Sequence, residues 1–260
     1  MSKVLIYNKD CLEGMKELMD NSINIVLTSP PYNTGRTSGS LKNHEVRYDV
    51  YMENRDNTEY SDWTIELFRQ FDRLLKPNGC ILYNVSYGNE NPEQLWLTIA
   101  DIINKTNFTV ADTIIWRKGT ALPNNVSSNK LTRICEFVFV FCRKSEYDTF
   151  GMNKKVMSYS RTGQKYYESI FNYIEARNND QSCDLNKATF STEFVEQLLK
   201  LYSTREDDTV LDPFMGTGTT AVGCLNLNRN CIGFEISSEQ CSYAQERVNT
   251  IMRGRSSSLL

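Results

Sequence analysis

A strand, a glycine loop, a helix and a second strand follow one another near the C-terminal end of this chain of 260 residues. The apolar pattern predicts strands at residues 209–212 and 231–236, with a helix at 217–227 between them. Gly216 and Gly218 allow a tight turn and let a ligand approach the backbone. This arrangement predicts a parallel α/β unit in which the N–H groups at the start of the helix point towards a ligand.

An acidic residue lies at the end of the second strand of this unit, at a sequence separation typical of ribose-binding acids. Glu235 comes 23 residues after Asp212, at the end of the second strand. An acid in that position typically binds both hydroxyls of a ribose. The two glycines do not form G-x-G-x-x-G, and no lysine follows them as it does in a P-loop. The pattern therefore favours a nucleoside cofactor that lacks a pyrophosphate.

Near the amino end, the polar motif T-S-P-P-Y-N at residues 28–33 follows the apolar run 23–27. The two prolines cannot donate backbone hydrogen bonds and hold the chain extended, so the strand should stop at Ser29. The result is a rigid turn that presents a hydroxyl, two carbonyls and an aromatic ring. One interpretation is a proline-stiffened turn at a strand end, and the other is a catalytic loop.

The chain starts with a compact β-α-β pattern, and Asp10 lies at the end of its first strand. Open α/β sheets bind ligands at the carboxyl ends of parallel strands, so Asp10 is a candidate cofactor contact, although an aspartate is equally common as a helix cap. The other elements predicted from apolar periodicity are strands at 80–85, 110–116 and 134–142, and helices at 60–75, 92–105, 192–202 and 238–252.

Two long stretches, residues 33–57 and 105–165, are unusually polar or basic. Residues 33–57 are polar and too long for a passive loop, which indicates a lid or a loop that contacts substrate. Residues 105–165 carry eleven Lys and Arg against four acids, about +7, while the rest of the chain is about −10. In residues 147–184 basic side chains alternate with tyrosines, which suits a nucleic-acid surface, although a small subdomain of packed tyrosines fits equally well.

Composition narrows the class of protein. The chain is 40% hydrophobic without an apolar run of about 18 residues, and its N-terminus becomes polar too early for a signal peptide. None of its eight cysteines forms a C-x-x-C pair, and His44 is its one histidine. We therefore expect a cytoplasmic protein with reduced cysteines and no metal site.

Taken together, the two motifs resemble those of the DNA amino-methyltransferases of the β group, in which the catalytic motif precedes the cofactor motif. The resemblance spans nearly the whole chain. It rests on residues 28–33 and 212–220, and on N-K-D-C-L-E at 8–13, L-K-P-N-G at 75–79, W-R-K at 116–118, E-F-V-F-V-F at 136–141, the stretch 187–192 and Glu235.

The resemblance implies a doubly wound α/β fold, a seven-stranded and mostly parallel sheet with one antiparallel strand. It implies a catalytic and cofactor-binding domain formed by residues 1–144 and 185–254 and a target-recognition region at 145–184. The polar tail at 255–260 is expected to be frayed, as the last residues of a domain often are. The implied cofactor is S-adenosylmethionine.

The resemblance also assigns roles to residues. The catalytic set is Ser29, Pro30, Pro31 and Tyr32. The cofactor set is Asp10, Thr28, Asp212, Pro213, Phe214, Gly216, Gly218, Thr219 and Glu235. Basic residues expected to contact DNA are Arg36, Lys118, Lys130, Arg133, Lys154, Lys155, Arg161 and Lys165.

In this superfamily S-P-P-Y is associated mainly with methylation of cytosine N4, and D-P-P-Y with adenine N6. We therefore expect transfer of a methyl group to N4 of a flipped cytosine in double-stranded DNA. Adenine-N6 methylation and an inactive, DNA-binding relative are alternatives. A protein or RNA amide methyltransferase is less compatible, because those usually have the two motifs in the opposite order. The resemblance leaves open whether a restriction endonuclease accompanies the protein and whether it forms a homodimer.

Overall fold

A central β-sheet with helices on both faces forms the body of the protein. The computed structural model describes residues 2–33, 55–88, 91–119, 128–180, 185 and 189–257. Its strands are β1 (Val4–Asn8), β2 (Ile23–Thr28), β3 (Leu75–Val85), β4 (Phe108–Lys118), β5 (Cys135–Arg143), β6 (Val156–Tyr159), β7 (Lys165–Tyr167), β8 (Tyr173–Ala176), β9 (Thr209–Asp212) and β10 (Asn230–Glu235). Its helices are α1 (Cys11–Lys16), α2 (Asn57–Leu74), α3 (Gln94–Lys105), α4 (Thr192–Tyr202), α5 (Thr219–Asn226) and α6 (Ser238–Ser257).

The main sheet has the strand order β1-β10-β9-β2-β3-β5-β4-β8. β5 runs antiparallel to both of its neighbours, and the other strands are parallel to one another. The doubly wound, mostly parallel fold with one antiparallel strand is confirmed. The expected number of seven strands was one too low, because four-residue β8 joins the edge of the sheet beside β4. So short a strand leaves little periodic signal in the sequence.

The two faces of the sheet bury separate cores. Helices α1, α2 and α3 cover one core, and α4, α5 and α6 cover the other. Neighbouring residues of one strand belong to opposite cores, as Val26 and Leu27 of β2 show. The strands are therefore apolar on both sides, which is why their sequences are continuous apolar runs and not alternating ones.

Helix α2 shows how local sequence sets an element. Asp56 caps its N-terminus by accepting a hydrogen bond from the backbone N–H of Thr58 at 2.8 Å. Leu67, Phe68 and Phe71 are fully buried on its inner face. Burying each such side chain contributes roughly 1.5–3 kcal/mol relative to exposure. The helix begins three residues before the predicted start, because the cap and not the apolar face sets its first turn.

Other boundaries also differ from the sequence-based expectation. β3 begins at Leu75 instead of residue 80, since Leu75 already pairs with Ile23 of β2, and the register shifts, with Asn78 at φ +62°, before Cys80 pairs with Ile25. α6 continues to Ser257, so residues 255–257 of the expected tail at 255–260 are helical, and the other three lie outside the described residues. None of the helices in the described ranges has both the length and the apolarity needed to cross a bilayer.

β9 and β2 lie side by side at the centre of the sheet, yet the chain leaves them in opposite directions, β9 towards β10 and β2 towards β3. This is the topological switch point, where open α/β sheets form a crevice beyond the carboxyl ends of the strands. The fold therefore brings the ends of β2 and β9, far apart in sequence, to one place.

Candidate functional site

A cleft of about 190 Å³ lies at this switch point. The ends of β1, β2, β9 and β10 supply most of its wall, together with the start of α2 and the residues before α4. Its lining includes Asp10, Cys11, Ser29, Pro31, Arg55, Trp63, Thr189, Phe190, Asp212, Pro213, Phe214, Gly216, Thr219, Phe234 and Glu235. Seven of the nine residues in the expected cofactor set therefore line one cavity, as do Ser29 and Pro31 of the catalytic set.

Asp212 organises the centre of the cleft from a buried position. One carboxylate oxygen accepts hydrogen bonds from the Thr28 hydroxyl at 2.9 Å and the Phe214 backbone N–H at 3.0 Å. The other accepts from the Thr220 hydroxyl at 2.5 Å. Burial raises the pKa of Asp212 to about 6, although these hydrogen bonds act in the opposite direction. The carboxylate therefore ties β2, the glycine loop and α5 together.

Thr28 differs from the role expected for it. Its side chain is fully buried and does not line the cleft, because its hydroxyl donates to Asp212. It supports the cleft from behind and does not form its surface. Asp10 caps α1 by accepting from the N–H groups of Leu12 and Glu13, and it also lines the cleft, so its contact with a cofactor stays a prediction.

Glu235 fixes the far end of the glycine loop. Its carboxylate accepts from the backbone N–H of Gly216 at 2.7 Å and from that of Ser237 at 2.9 Å. Burial raises the pKa of Glu235, against the effect of these N–H groups. Each oxygen keeps a second lone pair, so the carboxylate can still accept hydrogen bonds from ligand hydroxyls.

The glycine loop needs its glycines for backbone reasons. Gly218 has φ +86° and stands directly before α5, and a Cβ there would lie 2.9 Å from the Cβ of Ala244. Gly218 does not line the cleft, so its contribution is to let the loop turn tightly beneath α6.

The Ser-Pro-Pro-Tyr turn is held by contacts that the sequence did not reveal. The Tyr60 hydroxyl donates to the Pro31 carbonyl at 2.7 Å. Asn33, with φ +51°, accepts from the Arg55 N–H at 2.8 Å and donates to the Arg55 carbonyl at 3.0 Å. These bonds tie residue 33 to residue 55. The stretch 33–57 was expected to be a lid or a loop that contacts substrate, and its residues 34–54 lie outside the described ranges.

Tyr32 points its hydroxyl into a polar cluster beside the cleft. The hydroxyl oxygen lies 2.8 Å from the Ser29 Oγ, 3.1 Å from a Glu136 carboxylate oxygen and 3.3 Å from the Asn84 side-chain oxygen. Pro30 is buried behind the turn. Sequence patterns missed Glu136 and Asn84 as site residues, because they lie inside apolar strands whose pairing alone brings them here.

An aromatic wall closes the cleft on the side of α2. The rings of Trp63 and Phe214 lie 5.6 Å apart, and the Arg55 guanidinium stands 5.4 Å from the centre of the Trp63 ring. Phe190 lines the cleft from the segment before α4. Trp63 belongs to the helix predicted at 60–75, and apolar periodicity cannot distinguish a core ring from a ring that lines a cleft.

Cys11 also lines the cleft, but its chemistry is that of a core residue. Burial raises the pKa of its thiol, so the thiol stays protonated and is a poor nucleophile. Covalent attack on a pyrimidine ring from this position is disfavoured.

The basic residues expected to contact DNA fall into two groups. Lys154, Lys155, Arg161 and Lys165 are exposed on and beside the β6–β7 hairpin, where Tyr159, Tyr166 and Tyr167 are also at least half exposed. The tyrosines do not form a packed core of their own. Arg36 lies outside the described residues.

The second group comes from β4 and from the residues before β5. Lys118 forms an ion pair with Glu136 and lies over the Trp116 ring. The Arg133 guanidinium stands 4.8 Å from the centre of the Tyr87 ring, and Lys130 is exposed nearby in sequence.

A cleft at the switch point lined by carboxylates and aromatic rings, with a Ser-Pro-Pro-Tyr turn at its rim, indicates a methyltransferase of the open α/β type. The chain belongs to the DNA methylase family that comprises N6 and N4 methyltransferases, whose model matches residues 23–246.

Among its relatives, the type II methyltransferase M.BglII of Bacillus subtilis is 28% identical over 93% of this chain and 68% of its own length. The type II methyltransferase M2.MboI of Moraxella bovis is 26% identical over 95% of this chain and 88% of its own.

Solved structures share the architecture. The cytosine-N4-specific PvuII DNA methyltransferase superposes with a TM-score of 0.70 at 20% identity and covers 94% of this chain and 86% of its own. The complex of M1.HpyAVI with S-adenosylmethionine has a TM-score of 0.61 at 25% identity, over 95% of this chain and 99% of its own.

The cofactor of this methyltransferase is S-adenosylmethionine. The lining of the cleft fits it chemically. Asp10, Asp212 and Glu235 provide acceptors for hydroxyls and negative charge for a cationic molecule, while Phe214 and Phe234 provide apolar surface for a purine.

Proposed function

We propose that the chain methylates the exocyclic N4 of cytosine in double-stranded DNA, with the base flipped out of the helix. The observation that carries this proposal is the position of Ser29. Its hydroxyl lies at the end of β2, at the rim of the cofactor cleft, on a turn anchored through the Pro31 carbonyl. A serine in place of an aspartate at this position favours cytosine.

The residues support a mechanism based on positioning. An exocyclic amine is a poor nucleophile, because its lone pair is delocalised into the ring. If Ser29 Oγ and the Pro30 carbonyl accept hydrogen bonds from its two N–H groups, the nitrogen becomes pyramidal and its lone pair is directed at the methyl donor. Bound S-adenosylmethionine supplies an electrophilic methyl group. Tyr32 contributes its ring for stacking on the extruded base, worth roughly 1–3 kcal/mol against an extrusion cost of a few kcal/mol.

The exposed hairpin supports DNA as the substrate. Four exposed cations and three exposed tyrosines share the β6–β7 hairpin, a combination suited to phosphates and bases. We assign residues 145–184 to target recognition and residues 1–144 with 185–254 to catalysis. The relatives are type II methyltransferases, so we expect a defined recognition site and a cognate endonuclease.

Adenine N6 is the second candidate, since the family comprises enzymes for both bases. Mass spectrometry of nucleosides from unmethylated DNA, incubated with the protein and S-adenosylmethionine, distinguishes the two. We expect N4-methylcytosine. N6-methyladenine would show that Ser29 does not select the base, and the absence of both, with cofactor binding intact, would contradict DNA as the substrate.

A further inference from the structure

The polar cluster beside the cleft, formed by Ser29, Tyr32, Asn84 and Glu136, contains a carboxylate that has no role in the proposed mechanism. Glu136 is the second residue of β5, and only 8% of it is exposed. One carboxylate oxygen is paired with the Lys118 ammonium, and the other lies 3.1 Å from the Tyr32 hydroxyl oxygen. A buried carboxylate next to a catalytic loop calls for a functional explanation.

The hydrogen bonds around Tyr32 have a definite direction. The Tyr32 hydroxyl has one proton, and a carboxylate paired with an ammonium can only accept. The contact to Glu136 is shorter than the 3.3 Å contact to Asn84, and hydrogen bonds to charged acceptors are stronger. The Tyr32 proton therefore belongs to Glu136.

The side chain of Asn84 does not offer an alternative donor. Its amide nitrogen donates to the Phe137 carbonyl at 3.2 Å, which directs its oxygen towards Tyr32. If the amide were reversed, two oxygens would face each other at that carbonyl. Tyr32 thus meets two acceptors, Glu136 and Asn84, and one hydroxyl, Ser29.

Since the Tyr32 proton is committed to Glu136, the 2.8 Å contact between Tyr32 and Ser29 needs the proton of Ser29. The Ser29 hydroxyl donates to the Tyr32 oxygen, and its own lone pairs are left for a substrate. We propose that Glu136 is a positioning residue that acts through Tyr32 to make Ser29 an obligate hydrogen-bond acceptor towards the target amine.

This inference rests on the proposed function. It adds an explanation of how a neutral serine can act only as a hydrogen-bond acceptor, as a carboxylate does. A serine hydroxyl is equally able to donate, and a donated hydrogen bond to the amine would compete for the lone pair needed for attack. The hydrogen bonds that connect Glu136, Tyr32 and Ser29 prevent the serine from donating to the amine, and they do so without placing a charge beside the base.

The test compares Glu136→Gln, Tyr32→Phe and the double variant in single-turnover methylation of a duplex that the wild-type protein methylates. Gln at position 136 can donate to the Tyr32 hydroxyl and so reverse the direction of the hydrogen bonds from Glu136 to Ser29. Phe at position 32 keeps the aromatic ring but removes the hydroxyl that connects Glu136 with Ser29. We expect each single variant to lose about tenfold to a hundredfold in rate. The double variant should be within about twofold of Tyr32→Phe, because both changes break one chain.

Binding measurements separate positioning from folding. The Kd for S-adenosylmethionine and the fluorescence of 2-aminopurine at the target position should stay close to wild type in both single variants. Asp72→Asn is a matched control, because Asp72 also pairs with an arginine of the sheet, Arg143 of β5, and accepts a hydrogen bond from the Asn107 amide, but is not part of the Glu136–Tyr32–Ser29 contacts.

Full rates in Glu136→Gln or Tyr32→Phe, or losses that multiply in the double variant, would overturn the proposal. If Glu136→Gln does not fold, Tyr32→Phe alone still decides, since a full rate without the link refutes it. An inactive wild-type protein would instead contradict the proposed function, so the two failures are distinguishable.

Discussion

Asp212 illustrates how one buried side chain can hold several elements of a site together. It accepts hydrogen bonds from β2, from the glycine loop and from α5, and its burial is the cause of its raised pKa. The carboxylate is therefore costly to ionise in the folded protein, and its hydrogen bonds offset part of that cost.

The raised pKa predicts a pH dependence of stability. Asp212 has a pKa of about 6 in the folded protein against 3.8 normally, so the folded state retains its proton more tightly than the unfolded chain. Its contribution to the free energy of unfolding is fully present below about pH 4 and decreases as the pH rises to about 6. Asp212→Asn should remove this decrease, measured by urea denaturation at each pH.

The control for this measurement is Asp148→Asn, at an exposed aspartate, which should leave the pH profile of stability unchanged. Parallel profiles for wild type and Asp212→Asn would show that Asp212 is not the group that titrates in this range.

At the scale of elements, the glycine loop packs closely against α6. Two glycines allow the effect of backbone conformation on stability to be separated from the effect of this packing. Gly218 and Gly163 have nearly the same φ, +86° and +83°, but only Gly218 has close neighbours where a Cβ would stand. Gly163→Ala should cost about 1–2 kcal/mol of unfolding free energy from the left-handed backbone alone. Gly218→Ala should cost at least about 1 kcal/mol more, from overpacking against Ala244.

Thermal or chemical denaturation of the two variants gives this comparison directly. Equal losses would show that α6 moves away from the loop at no cost, and that the contact with Ala244 does not stabilise the site.

The β6–β7 hairpin yields a prediction about DNA binding. Replacing Lys154, Lys155, Arg161 and Lys165 by Gln should weaken DNA binding and reduce the dependence of log K on log salt. The slope should fall by about 0.9 for each phosphate that the variant no longer neutralises. Fluorescence anisotropy across a salt series measures both quantities.

A matched set of four exposed cations on helices, Lys16, Arg69, Lys105 and Lys200, provides the control. The same salt slope in the hairpin variant and in this control would refute the hairpin as a DNA-binding surface.

At the scale of the whole molecule, the cleft at the switch point is built from two parts of the chain that are far apart in sequence. Its lining comes from residues 9–31 and from residues 212–240, with α2 and the segment before α4 between them in sequence. A ligand bound there stabilises only the folded arrangement of both parts.

S-adenosylmethionine at a hundred times its Kd should therefore stabilise the protein by about 2.7 kcal/mol. For a chain of this size the melting temperature should rise by about 5–10 °C. Differential scanning fluorimetry tests this, with Glu235→Gln at the same ligand concentration as control. That variant weakens the hold on Gly216, so its shift should be smaller, and an undiminished shift would place the cofactor away from Glu235.

Much of this molecule follows from local sequence. Apolar runs predicted the central strands, and the two motifs indicated the cofactor loop and the catalytic turn, because such signals depend only on neighbouring residues. Element ends were less accurate: the cap at Asp56 moved the start of α2, and β8 had too few residues to show a period.

The sequence by itself determined the doubly wound α/β class, the methyltransferase family and nine residues of the cleft lining, since periodicity and short motifs are local properties. Only the tertiary structure decided that Thr28 supports Asp212 from within, that Tyr60 anchors the Pro31 carbonyl, and that Glu136 directs Tyr32 and Ser29. These contacts join residues far apart in the chain, and the pairing of strands that brings them together is set by packing of the whole sheet.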